Sequence, residues 1–130
     1  MMTWNELMDD DIIPRRKPEI LDKYLLFMKH NSLTDNIMIN VIKDKTKDLH
    51  LTLNDYPYDV EDDVTHYIIW DLNYEPLDMQ SQLAKYRIFA EANFNPDIYD
   101  IIVRINKVKY QSIPEIKHCH LFIRHKNKSF

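Results

Sequence analysis

Two histidines and an arginine alternate along one short apolar run. In Gln111-Ser112-Ile113-Pro114-Glu115-Ile116-Lys117-His118-Cys119-His120-Leu121-Phe122-Ile123-Arg124 a polar loop leads into a strand-like stretch. Successive strand side chains point to opposite faces, so Cys119, Leu121 and Ile123 share one face and His118, His120, Phe122 and Arg124 share the other. The first is an ordinary apolar face. The second sets two imidazoles and a guanidinium in a row, groups that a core rejects when unpaired. Such a row suits one wall of an anion-binding or phosphoryl-transfer site. An imidazole can attack phosphorus to give a nucleotidyl-histidine that water resolves. Arg124, Arg104 and the Ser112 hydroxyl can hold the phosphoryl oxygens. The plainer alternative is a solvated outer face of a sheet.

A third histidine, His66, opens another apolar run, and backbone hydrogen bonds alone would account for it. If it faced His118 and His120, three imidazoles could also hold zinc and leave a fourth position open. No further Cys or carboxylate stands at ligand spacing, so phosphate ranks above metal and no metal or cofactor is expected. Asn54-Asp55-Tyr56-Pro57-Tyr58 reads as turn chemistry ordering two aromatics, with Asp55 available as a general base or histidine orienter. Asp59, Glu61, Asp62 and Asp63 lack the spacing of a calcium loop and read as solvated. Trp4 and Trp70 read as core. Arg15-Arg16-Lys17 is long enough only for a local phosphate or partner contact. Cys119, on the apolar face, reads as a buried and inert thiol.

The elements that must position these residues follow from composition and period. The chain has 130 residues, 45% of them apolar, the size of one domain with a real core. A net charge of −4 and a pI near 5.8 exclude the basic field that drives non-specific nucleic-acid binding. One cysteine excludes an internal disulfide and suits a reducing compartment. No apolar run reaches the length of a membrane span, and the acidic, interrupted start is not a signal peptide. These features lead to the expectation of a soluble cytoplasmic protein, or one in a host's cytoplasm if the source is viral. There is no glycine, against roughly 7% in an average chain. Gly-rich phosphate loops are therefore excluded, and tight turns must use Asn, Asp and Pro. The heavy use of Asn, Ile, Lys, Asp and Tyr is that of an AT-rich coding sequence, viral or microbial.

Thr3 with Glu6 forms a capping-box pattern for a helix over about residues 4–10. Residues 18–30 form a helix with Ile20, Tyr24, Phe27 and Met28 on one stripe, ended by Asn31-Ser32. A third short helix carries Ile37, Met38, Val41 and Ile42, and residues 43–48 are a charged connector. The period then becomes strand-like at 49–53 and again at 64–70, where Tyr67 and Ile69 oppose His66, Ile68 and Trp70. Asp78 caps a long helix to about residue 92, burying Leu83, Tyr86, Ile88, Phe89 and Ala90. Strands follow at about 99–106 and 117–124, then a polar tail that frays. The fold class is α+β in one domain of 130 residues. N-terminal helices (1–48) pack on a four-stranded, mainly antiparallel sheet with one long inserted helix (49–124), followed by a tail (125–130). One sheet face is covered and the other open.

Thr3-Trp4-Asn5-Glu6-Leu7, Asn54-Asp55-Tyr56-Pro57-Tyr58, His66-Tyr67-Ile68-Ile69-Trp70, Gln111-Ser112 and His118-Cys119-His120-Leu121-Phe122-Ile123-Arg124 occur in that order. Together they resemble a fungal and viral family of unknown function that includes the GlcNAc-induced proteins, over nearly the whole chain. From Leu49 onward the chain is also remotely similar to histidine-triad nucleotide-binding domains. Asn54, Pro57 and His66 take the places of the polar residue, the proline and the strand-opening histidine. Asn106, Gln111, Ser112, His118 and His120 follow in the triad order, with Phe122 where a third histidine would fall. That resemblance implies a nucleotide or phosphate-bearing small molecule bound by Asn54, Arg104, Asn106, Gln111, Ser112 and Arg124. It implies catalysis by His120, His118 and His66, with His120 as nucleophile, or His118 if the alignment shifts. It also implies homodimers. The expected function is thus a small nucleotide- or phosphate-binding domain, with nucleotidyl hydrolase or transferase chemistry open to it. The alternative is a non-catalytic module that binds a viral or host protein.

Overall fold

The computed structural model describes residues 1–30, 33–42, 44–111 and 113–126. The expected end of the second helix at Asn31-Ser32, Lys43 of the charged connector, Ser112 and tail residues 127–130 lie outside the described residues. The elements are α1 (Trp4–Met8), α2 (Pro18–His30), α3 (Leu33–Asn36), a π-helical turn (Ile37–Val41), β1 (Leu49–Leu53), β2 (Thr65–Asp71), α4 (Met79–Asn93), β3 (Tyr99–Arg104), a 3-10 turn (Val108–Tyr110) and β4 (Lys117–His125). The fold class is α+β. The four strands form one sheet in the order β1-β2-β4-β3, with every neighbouring pair antiparallel.

Local chemistry sets the ends of these elements. The Thr3 side chain accepts from the Glu6 N–H while Glu6 reaches back to the Thr3 N–H, closing the capping box of α1. Asp78 caps α4 by accepting from the Ser81 N–H at 2.7 Å. Without glycine, the turns are Asx turns, in which a side-chain carbonyl accepts the N–H two residues on. Asp9, Asp44, Asn54, Asp71, Asn73 and Asn95 each make one. No described residue has a positive φ, so none of these turns needs a residue without a Cβ.

Both faces of the sheet are covered, not one. On the apolar face, Tyr86 and Ala90 of α4 pack against Ile69, Cys119, Leu121 and Ile123. Ile88 stands two residues from Tyr86, roughly 200° around the helix. It is 71% exposed, so the expectation that α4 buries it is corrected. The histidine face, expected to be open, is roofed by the N-terminal segment. At one end Met2, Leu7 and Tyr58 pack on Phe122 and Ile102. At the other, Ile42 and the π turn pack on Ile68, Trp70, Ile113 and Ile116. The reason lies in the strands: Ile68, Trp70, Phe122 and Ile102 alternate onto the same face as the histidines, so that face is polar only in its middle. α2 is the least buried part of the roof. Of its expected stripe, Tyr24 is buried, Ile20 and Phe27 are half-buried, and Met28 is exposed. The β2 end carries a buried carboxylate, Asp71, which accepts from the Tyr86 hydroxyl at 2.8 Å and from Lys85 Nζ at 3.1 Å, with Lys117 Nζ 3.9 Å away. No helix among the described residues is long and apolar enough to cross a membrane.

Candidate functional site

Antiparallel register brings the polar residues of the roofed face into one band. Ile68 of β2 pairs with His120 of β4, which pairs with Arg104 of β3, and His66 pairs with Phe122 one step along. His66, His120 and Arg104 are 2%, 6% and 3% exposed, so the solvated-face alternative does not hold for them. Each must find its partners inside the protein.

They find them through Tyr58. The backbone N–H of Tyr58 donates to His66 Nδ1 at 3.1 Å, which leaves the proton of a neutral His66 on Nε2. Nε2 then donates to His120 Nδ1 at 2.8 Å, and His120 Nε2 donates to the Tyr58 hydroxyl oxygen at 3.2 Å. The same oxygen accepts from Asn106 Nδ2 at 2.7 Å. The amide orientation of Asn106 is set from its other side, where Arg104 Nε donates to Oδ1 at 2.9 Å. Gln111 Nε2 holds the Asn106 backbone carbonyl at 2.9 Å. Reversing the histidine pair would set the Tyr58 N–H against a protonated His66 Nδ1, so the direction of the chain is determined.

Burial holds all three histidines neutral. It lowers His66 to about 3, with Arg16 acting in the same direction. It drives His120 well below the ordinary imidazole value, assisted by His66, His118, Arg16 and Arg104. It lowers His118 against the opposing hydrogen bond to Ile116. Burial likewise raises the Tyr58 phenol, which stays protonated.

His118 stands beside this group, its ring centroid 5.6 Å from that of His120 and 5.1 Å from that of Trp70. Its Nδ1–H donates to the Ile116 carbonyl at 2.7 Å. Nε2 therefore carries a lone pair, and no hydrogen bond from a described residue reaches it. His118, His120 and Tyr58 line a cavity of about 140 Å³ between the sheet and the N-terminal segment. Arg16, Tyr24 and Tyr110 also line it. The Arg16 guanidinium lies 4.3 Å from the Tyr24 ring centroid and 5.0 Å from that of Tyr58. Its Nε donates to the Tyr56 carbonyl at 2.8 Å. Neither Nη has a protein acceptor among the described residues.

The expected site residues are thus gathered unequally. His66, His120 and Asn106 meet at Tyr58, and His118 adjoins them. Asn54 makes the turn that leads to Tyr58, its amide 3.4 Å from both ring nitrogens of His66. Arg104 touches the group only through Asn106. Its remaining N–H groups go to the carbonyls of Glu6, Leu7 and Ile12, where it fastens the roof. Arg124 is not brought to the site: it pairs with Asp100 at 3.1 Å and stacks on Trp4 at 4.2 Å. Ser112 lies outside the described residues. Sequence reading missed Tyr58 and Arg16. The first was visible only as a turn aromatic, the second only as part of a short basic run. For a metal, His66 and His120 spend their facing nitrogens on each other. Among the described residues the acidic or imidazole groups gathered at ligand spacing are the exposed Asp9, Asp10 and Asp11.

Fold and site define a class: an α+β domain whose antiparallel sheet presents a buried histidine pair beneath an N-terminal roof. The match of residues 16–124 to one family model places the chain in a family, and it belongs to the proteins of unknown function DUF3605. The crystal structure of HTC1 is similar to it, with a TM-score of 0.57 and 19% identity over 95% of this chain and 85% of that one. At that identity the likeness is one of fold. No curated protein matches the chain.

Proposed function

We propose that the cavity binds a small nucleotide-like or other phosphate-bearing molecule. The observation that carries this reading is Arg16: a half-buried guanidinium stacked against Tyr24 and Tyr58, with both Nη groups unspent among the described residues. A planar cation of this kind suits bidentate contact with phosphate oxygens. The aromatic walls suit a planar ring. The remote likeness of His66, His118 and His120 to the histidine triad supports the same class of ligand.

A catalytic form of this reading rests on His118. His118 lines the cavity with its Nε2 lone pair uncommitted among the described residues, whereas both nitrogens of His120 are spent on His66 and Tyr58. A nucleotidyl hydrolase or transferase would therefore use His118 as nucleophile or base, with His120 ordering Tyr58.

Thermal-shift titration with nucleotides, nucleotide-sugars and inorganic phosphate tests the reading, because a ligand of the native state raises the melting temperature. We expect a shift with wild-type protein, reduced at least about tenfold in apparent affinity by Arg16→Gln. A wild-type protein that shifts with none of them loses this reading. The protein-interaction alternative would then lead, through the exposed Leu21, Leu25 and Leu26 of α2.

A further inference from the structure

Counting protons in the buried group gives a remainder. The Tyr58 oxygen accepts two hydrogen bonds, from His120 Nε2 and Asn106 Nδ2. Both directions are fixed from outside, one by the Tyr58 backbone N–H acting through His66 and the other by Arg104 acting through Asn106. The phenol's own proton therefore has no acceptor among the described residues. Tyr58 lines the cavity, so that proton is offered to whatever fills it. His118, which also lines the cavity, offers an Nε2 lone pair.

Around the histidines the cavity thus offers one donor and one acceptor on neutral side chains, while its cation, Arg16, lies against the ring of Tyr58 and makes no hydrogen bond to the Tyr58 hydroxyl among the described residues. Arg104 is turned away onto three backbone carbonyls. His66, His118 and His120 are uncharged as a consequence of burial. Arg16 is the cation of the lining, and the exposed Asp55, also in the lining, is an acceptor for hydroxyl groups. An anion placed against the histidines would face neutral rings and would forgo direct hydrogen bonds from the Nη groups of Arg16.

We propose that the histidine end of the cavity holds the uncharged planar part of the ligand, a ring edge or lactam that accepts from Tyr58 and donates to His118, while Arg16 holds the anion. This orientation rests on the ligand-binding reading above. It deepens the binding reading and replaces its catalytic form, because a His118 Nε2 that accepts from the ring is not free to attack phosphorus. Tyr58 and His118 become the residues that select the ligand.

Calorimetric titration of the wild-type protein separates the parts. The probes are the four ribonucleoside 5′-monophosphates, the corresponding nucleosides, ribose 5-phosphate and inorganic phosphate. At least one nucleotide should bind about tenfold or more tighter than ribose 5-phosphate, the discrimination expected where buried polar groups would otherwise go unpaired. Ribose 5-phosphate binding as tightly as every nucleotide overturns the orientation and leaves the phosphate reading standing. A nucleoside binding as tightly as its nucleotide keeps the orientation and removes the phosphate. Binding of none of the probes overturns both. His118→Phe, which keeps a ring in the half-buried position and removes Nε2, should erase the preference for the nucleotide while leaving ribose 5-phosphate binding unchanged. Equal loss for both probes counts against a selecting role for His118. Tyr58→Phe makes the same comparison for the hydroxyl, provided that its melting transition stays cooperative.

Discussion

At the scale of single residues, the buried histidines make stability depend on pH. His66 titrates at about 3 in the folded chain and at about 6.5 when unfolded. Between those values the unfolded chain takes up a proton that the native chain refuses. Its contribution is therefore complete above about pH 6.5 and is lost as the pH falls toward about 3, at up to about 1.4 kcal/mol per pH unit. His118 and His120, lowered for the same reason, act in the same direction. The lowered carboxylates of Glu6, Asp11, Asp44 and Asp78 contribute only further down, below their unfolded values. Urea midpoints at pH 7.5 and pH 5 thus isolate the imidazoles, and the midpoint should drop clearly at the lower pH. An unchanged midpoint would contradict neutral burial. Residue faces were legible in the sequence where period alone decided them: His118 and His120 do share a face with Phe122, away from Cys119 and Leu121. The role of Tyr58 was not legible, because it depends on a hydrogen bond to His120, 62 positions away.

At the scale of elements, two substitutions on one side of the sheet should behave oppositely. Asp71→Ala leaves the Tyr86 hydroxyl without its acceptor and removes the counter-charge of Lys85 and Lys117 at the end of β2. A loss of about 3 kcal/mol is expected, less than for a fully enclosed pair because the lysines keep some solvent. Ile88→Lys, on the outer face of α4, should stay within about 0.5 kcal/mol of wild type. Denaturant unfolding of both variants measures the contrast, and similar losses in the two would show that α4 packs through another face. The helix starts at Thr3 and Asp78 were readable because capping is a local exchange between side chain and backbone. The roof was not. The histidine strand reads as half polar, and only the pairing of β4 with β2 and β3 shows that Trp70, Ile68 and Ile102 surround its polar middle with apolar surface.

At the scale of the molecule, the first fifteen residues supply two side chains of the core, Met2 and Leu7, although the family match begins at residue 16. Met2 and Leu7 are fully buried against Phe122 and Ile102. Arg104 spends most of its donors on the carbonyls of Glu6, Leu7 and Ile12. A fragment of residues 16–124 would expose that cluster to water and strip the Arg104 guanidinium of its three carbonyl acceptors, at a cost of several kcal/mol in a domain stabilised by only about 5–15. Its thermal transition, followed by near-ultraviolet circular dichroism, should be broad or absent. A sharp transition near that of the full chain would mean that the roof is dispensable. The sequence showed the capping box of this segment but not its destination, since nothing local in residues 1–15 points to β3.

The glycine-free turns have a consequence for the state in which none of this structure exists. A chain of this length would ordinarily contain about nine glycines, each widening the range of conformations open to the unfolded chain. Replacing a glycine where the native backbone allows it adds about 0.4–1 kcal/mol, through the disorder that the unfolded chain no longer has. With no described residue at positive φ, the native state gives up nothing in return. Part of this protein's stability therefore corresponds to no contact in the folded structure: it lies in the narrowed freedom of the unfolded chain.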